Sequence, residues 1–344
     1  MLFFLTISIV TAQNNAIKIS GFADVYYAYN FNKPSDQNIP LAYNHSRHNE
    51  VNVNNLLLGF KSNTERVRAN AVFHTGTYVQ ANYSAEPPLL RYINEANVGM
   101  KLHKKVWVDV GIIPSHIGLE TAISKDNWTL TRSFCAENSP YYESGAKVTF
   151  LPNDKWTLVA LVLNGWQNII EKNSNKAVGV QAQFYPNKKV LFNYSNFIGE
   201  GRNSPDSIML LRHFHDFFCT YSITDKLALA AVFDMGFEQK SSIDKQAIFW
   251  YSPALFIKYK MNSDYSSCIR FDYFGDKNGI VIPTGTPNNT EVSAISINID
   301  YAILENMLFR IEAKEVVSKD KVFRNNVVFV NNSTTIVGSL AISF

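Results

Sequence analysis

Between Pro114 and Tyr142 the chain carries His116, Glu120, Lys125, Asp126, Arg132 and Glu137, with Trp128 and Tyr141 among them. Acids, bases and cations held in one stretch could move protons, or could set the width and charge of a passage that a solute must cross. The spacing favours a passage. The chain has no Gly-x-Ser-x-Gly elbow and no phosphate-binding loop, and its scattered Ser, His and Asp residues have no triad spacing. His213 and His215 share a strand face and could ligate a metal, yet no third ligand is fixed beside them. Histidines at an interface or in a lumen are the alternative, and no metal site is assigned. Tyr43 to Glu50, with His45, Arg47 and His48, reads either as a basic patch or as a packed loop held by charge pairs. So long a stretch as Pro114 to Tyr142 without a structural signal is unusual in a compact fold unless it has a task, and its residues can act only where regular elements hold them.

Composition indicates what those elements are. Aromatics make up 13% of the chain and charged residues only 18%, below the roughly 25% of soluble domains. A mean hydropathy of -0.10 says that apolar and polar surface nearly cancel, as in a wall with one oily and one wet face. A net charge of +3 is too small to call for nucleic acid. Cys135, Cys219 and Cys268 form no Cys-x-x-Cys pair and read as singletons. Leu2 to Val10 has the length of a signal-peptide apolar region, with Val10 and Ala12 placed for a cut before Gln13, although the basic start of such a signal is missing. Residues 1–12 are therefore expected to be a signal peptide, truncated or misassigned at its start, and 13–344 a single domain.

From Asn15 onward the chain shows sixteen runs with period-two alternation. Leu227, Leu229, Ala231, Phe233, Met235 and Phe237 share one parity, and so do Ile336, Leu340, Ile342 and Phe344. In the second run parity changes between Val53 and Leu56, which places a bulge near Asn54 and Asn55. The third run spans Arg66 to Tyr78, the ninth Lys189 to Phe197, and Pro253 interrupts the twelfth. Seven short turns alternate with eight long loops, so every long loop lies at one end. The expected fold is all-β: a transmembrane antiparallel up-and-down barrel, whose closure at this strand number leaves an aqueous lumen. The inward parity carries Lys18, Arg66, Arg68, Lys101, Lys147, Arg270, Arg310 and Lys314. Asp24, Glu95, Asp109, Glu143, Asp272, Asp300 and Glu312 match them, so no one-sign ladder emerges. Arg66, Arg68, Lys101, Lys147, Arg310 and Lys314 join the charges of 114–142 as candidates for lining the lumen. That loop either folds inward and narrows the lumen or lies over the mouth, and the inward fold is expected.

Several stretches resemble one family. Gly21–Pro34 (GFADVYYAYNFNKP), Tyr43–Glu50 (YNHSRHNE), Gly76–Tyr83 (GTYVQANY), Pro114–Ala122 (PSHIGLETA), Trp128–Ser133 (WTLTRS), Glu137–Glu143 (ENSPYYE) and Leu163–Trp166 (LNGW) are similar to the OmpL-like β-barrel porins of Gram-negative outer membranes. The likeness is specific over the first half of the chain and general afterwards. It implies an integral outer-membrane porin passing small hydrophilic solutes or ions, with no cofactor and no catalytic residues. Phe344 resembles the terminal aromatic read by the barrel-assembly machinery, so that machinery and outer-membrane lipid are the implied partners. By position alone, the loop after the fifth run resembles the constriction loop of general porins, and a homotrimer follows only from that analogy. A structural or adhesive barrel with a plugged lumen, or an outer-membrane hydrolase, is the alternative function.

Overall fold

The computed structural model describes residues 17–171, 175–203, 209–241 and 243–344. The leader expected at 1–12 lies outside them. The alternating runs become β1 (Lys18–Asn30), β2 (Val51–Asn63), β3 (Val67–Thr75), β4 (Ile93–His103), β5 (Val106–Pro114), β6 (Tyr142–Asn153), β7 (Trp156–Leu163) and β8 (Ala177–Asn187). They continue as β9 (Val190–Asn203), β10 (Met209–Ser222), β11 (Leu227–Gln239), β12 (Ala247–Lys260), β13 (Tyr265–Asp276), β14 (Thr290–Leu304) and β15 (Met307–Ser318). A small hairpin, β16 (Phe323–Asn325) and β17 (Val328–Val330), stands apart, and β18 (Asn332–Ser343) ends the chain. All strands but the hairpin form one closed barrel in which each pairs antiparallel with its chain neighbour, and β18 returns to β1. The first barrel strand begins and the last ends at the rim that bears the short turns.

Period-two alternation has the physical consequence expected of it. Leu56, Leu58 and Phe60 on β2, Val98, Met100 and Leu102 on β4, and Ile295, Ile297 and Ile299 on β14 are exposed on the outer face. Between them Asn55, Asn97, Ser296 and Asn298 point inward and are buried. The parity change on β2 is a bulge: Asp24 pairs with Asn55 but Val25 with Val53, leaving Asn54 as the extra residue. Pro253 faces Phe233 on β11, and the β13 ladder skips it between Tyr251 and Ala254, as a residue without an N–H requires.

Three segments differ from the sequence reading. β3 stops at Thr75, because Gly76 takes φ 136°, a left-handed conformation that turns the chain into a short helix α1 (Thr77–Asn82). The period of Val67 to Phe73 carried no sign of that turn. β9 runs on to Asn203, lengthening the wall beyond Phe197. The last of the long loops contains the β16–β17 hairpin, whose strands are too short to show a period.

The interior is not uniformly polar. Leu161, Leu163, Phe197, Phe214, Trp250 and Phe274 point inward from β7 to β13 and pack with Ile117 and Phe134 of the 114–142 loop into one buried apolar cluster. Smaller clusters on β1 to β6, such as Phe22, Leu57 and Val72, extend this core, and toward the short turns the inner face of β1 to β6 holds an open polar cavity of about 530 Å³. Burying the loop's apolar side chains stabilises its position by about 1.5–3 kcal/mol for each large one.

At the seam, the N–H of Gly21 donates to the carbonyl of Phe344 at 2.8 Å and the Phe344 N–H donates back at 3.0 Å. A Cβ at Gly21 would occupy the space of the Phe344 ring. Gly21→Leu is therefore expected to reduce the fraction of heat-modifiable, folded barrel on cold gels. Deleting Thr334 to Phe344, which removes most of β18, is expected to leave none.

Candidate functional site

The loop between β5 and β6 folds on short local devices. Ser124–Asp126 forms a 3-10 turn, and Ser133 caps α2 (Phe134–Glu137) by accepting the Ala136 N–H on its hydroxyl at 3.3 Å. Inward side chains of the barrel then hold the loop's backbone. Arg310 on β15, fully buried, donates to the carbonyls of Ser124 (2.6 Å), Asn127 (3.2 Å) and Thr129 (3.3 Å), while its Nε pairs with Asp300 at 2.6 Å. Arg270 on β13 donates to the Thr129 hydroxyl and the Thr131 carbonyl, both at 2.7 Å, and lies 3.4 Å from both Asp272 and Glu312. Glu312 accepts the Thr131 N–H at 2.7 Å, Asn298 the Leu130 N–H at 3.1 Å, and Asp272 the Phe134 N–H at 3.0 Å. Lys314 donates to the Arg132 carbonyl at 3.3 Å and sits 4.5 Å from the Phe134 ring centre. A guanidinium has several donors in one plane, so one arginine can neutralise a wall carboxylate and still bind loop carbonyls.

The first half of the loop is anchored on the opposite arc. His116 bonds through Nδ1 to Glu143 at 2.9 Å and through Nε2 to the Asn196 carbonyl at 2.8 Å. Burial works against a charged imidazole there, but the Glu143 carboxylate outweighs it and raises the His116 pKa. Glu120 accepts the Ser133 N–H at 3.1 Å and its hydroxyl, and burial raises its carboxyl above the ordinary range. Arg132 is buried and braces the loop internally, donating to the carbonyls of Thr121 (2.7 Å) and Leu130 (2.8 Å). Glu137 accepts the N–H groups of Tyr43 (3.0 Å) and Asn44 (3.4 Å), tying the 31–50 loop to this one. Burial pushes the Glu137 carboxyl up to about 7, against the pull of the Tyr43 N–H and Arg132. Lys125 and Asp126 are the exposed charges of the stretch and lie 3.6 Å from each other.

The remaining sequence candidates divide. Arg68 and Lys147 line the open cavity, Arg68 bonded to Asp109 at 2.5–2.6 Å and stacked 4.4 Å from the Trp107 ring centre. Lys101 lies 5.6 Å from the same ring. Arg66 is not on the inner wall. It is exposed in the turn before β3, where the Thr64 hydroxyl accepts its N–H at 3.2 Å, so the strand begins one residue later than its alternation suggests. His213 and His215 share the outer face: His213 stacks on Phe237 and His215 bonds to the Tyr194 hydroxyl at 2.9 Å. Among the described residues no group of three or more His, Cys, Asp or Glu could hold a metal. Tyr43 to Glu50 is a packed loop, with His45 2.9 Å from Asp24 and Arg47 3.0 Å from Glu50. The three cysteines are free. Sequence reasoning did not single out Arg270, Asp272, Asp300, Glu312, Thr129, Thr131 and Asn298 as site residues. Inward parity marked the charged ones, but their convergence on the loop depends on strand register.

An oily outer band, a closed sheet without edges and a charged interior crossed by a long loop define an integral β-barrel of the outer membrane, a porin. The chain belongs to the family described as "Putative beta-barrel porin-2, OmpL-like", whose model matches residues 16–344. No curated protein matches it by sequence. Among solved structures it is similar to the anion-selective porin of Comamonas acidovorans, at 10% identity and TM-score 0.64, covering 96% of this chain and 99% of that one. It is similar also to the outer membrane channel DcaP of Acinetobacter baumannii, at 9% identity and TM-score 0.64, covering 95% and 97%. The trimer form of OmpT from Vibrio cholerae matches at 8% identity and TM-score 0.63, covering 96% and 99%. At these identities the likeness is one of fold.

Two outcomes follow from the loop's anchors. Arg310→Ala leaves Asp300 buried without its partner and frees three loop carbonyls, so unfolding in guanidinium should show a loss of about 3–5 kcal/mol. For Glu137, a folded pKa raised above the ordinary carboxylate value means that the neutral form is favoured in the folded state. Its contribution is fully present below about pH 4.3 and is lost as pH rises through about 7. The free energy of unfolding should fall across that window, and Glu137→Gln should flatten the change.

Proposed function

We propose that the chain is a passive outer-membrane channel for small hydrophilic solutes or ions, narrowed by the loop 114–142. One observation carries the reading: side chains on the inner faces of β13, β14 and β15 bind the backbone of Thr129 to Phe134, far along the wall from the loop's roots on β5 and β6. A segment held in that way narrows the lumen, and the polar cavity on β1 to β6 toward the short turns is open space beside it. Catalysis has no part in this reading, because the acids and the one histidine of the loop are engaged with one another, with the wall and with neighbouring loops. The similarity to a protein solved in a trimer form supports three-fold assembly of this chain as well.

A plugged structural barrel is the second reading. It is favoured by the tight fit between the 39–45 segment and 131–137, where the gap measures only about 30 Å³. Conductance separates the two. Refolded protein in planar bilayers is expected to show open-channel steps, and current-free insertion would establish the plug. Deleting Lys125 to Ala136 should raise single-channel conductance, whereas an unchanged current would place the loop outside the conduction path.

A further inference from the structure

Counted on the sequence, inward cations and acids cancel, but burial does not treat them alike. Asp24, Glu143, Asp272, Asp300 and Glu312 are at most 6% exposed, and so are Arg270 and Arg310, all consumed in ion pairs or in holding the loop. The charges that line the open cavity lie elsewhere, on the arc from β1 to β6. Lys18, Lys61, Arg68 and Lys147 line the open cavity with Glu95 and Asp109. The side chain of Lys61 is 47% exposed and that of Arg68 29%, against 13% for Glu95 and 3% for Asp109. Lys18 and Lys147 make no ion pair among the described residues, and Lys101 adds a further half-exposed cation beside Trp107 on the same arc. In the loop, exposed Lys125 and Asp126 offset each other at 3.6 Å.

We propose that the channel prefers anions, and that its preference is set by this basic wall, Lys18, Lys101 and Lys147 above all, instead of by the buried arginines that clamp the loop. The inference rests on the channel reading. Physically, five cations against two acids leave an excess of positive charge beside the open cavity, and low-dielectric walls focus that field onto the solute's path. The cavity's span is comparable to the Debye length of about 8 Å at physiological salt, so a small carboxylate, phosphate or halide crossing it stays within reach of the field. Arg310 and Arg270 are excluded from this role by their place under the loop, where water does not reach them.

The test is the zero-current potential of the full-length protein in planar bilayers under a KCl gradient. A mean lumenal potential of about half of kT would give a chloride-to-potassium permeability ratio of roughly 3. That ratio should fall toward 1 in the Lys18→Gln, Lys101→Gln, Lys147→Gln triple variant, with heat-modifiability confirming that the variant folds. As a second measurement on the unaltered protein, the ratio should fall at about 1 M salt, where the Debye length shrinks to about 3 Å. Equal or cation-favouring permeation in the unaltered channel would overturn the anion preference while leaving the channel standing. An anion preference untouched by the triple variant would overturn the assignment to these lysines. Inserted protein without any conductance would refute the channel reading itself.

Discussion

Gly21 and Phe344 exchange their backbone hydrogen bonds, and through that exchange the sheet loses its last edge. In a bilayer each unpaired N–H or carbonyl costs several kcal/mol, so a sheet of this length is tolerated only when closed. Closure also fixes everything inside. Once Phe22 stands opposite Ser343 and Val25 opposite Leu340, and once the Asn54 bulge sets β1 against β2, the inward parity of every following strand is determined by ladders that are continuous around the barrel.

A barrel this wide cannot be filled by its own side chains, and the chain meets that with loops. The result is an interior of two kinds. Inward apolar residues from β7 to β14 form one buried cluster that Ile117 and Phe134 of the 114–142 loop complete, with buried polar groups such as Ser195, Asp216 and Asp234 between them. Beneath the loop's later half the wall presents buried arginines and carboxylates in place of apolar groups. Arg310 and Arg270 balance the charge of Asp300, Asp272 and Glu312 and at the same time satisfy carbonyls of a backbone that has no ladder of its own. From β1 to β6 the wall is buried toward the long loops, where Phe22, Tyr26, Leu57 and Val72 pack inward, and opens onto a polar cavity toward the short turns. The loop therefore packs against both arcs of the wall, and the open cavity lies at the short-turn end of β1 to β6.

Much of this was legible in the chain. The parity of Leu227 to Phe237, the alternation of short turns with long loops and the parity change at Asn54 each report on neighbours a few residues apart, and each has its counterpart in the barrel. Where a local signal was weak the reading slipped. Arg66 continues the alternation of Arg68 and Asn70 but sits in a turn made by the Thr64 hydroxyl. Gly76 ends β3 by its backbone conformation, which the types of Val67 to Phe73 do not encode.

By itself the sequence determined the number of barrel strands, the face that the residues within the strands turn to lipid or lumen, the end at which the loops gather, and the family. These depend on the two-residue period of a strand and on turn chemistry, which are local. The tertiary structure alone decided which inward charges are wet and which are spent. Arg270 meets Thr129 across 141 residues, and Arg310 meets Ser124 across 186. Whether a cation faces water or a backbone carbonyl is set by the register of distant strands and the path of one loop, and no local pattern carries that information.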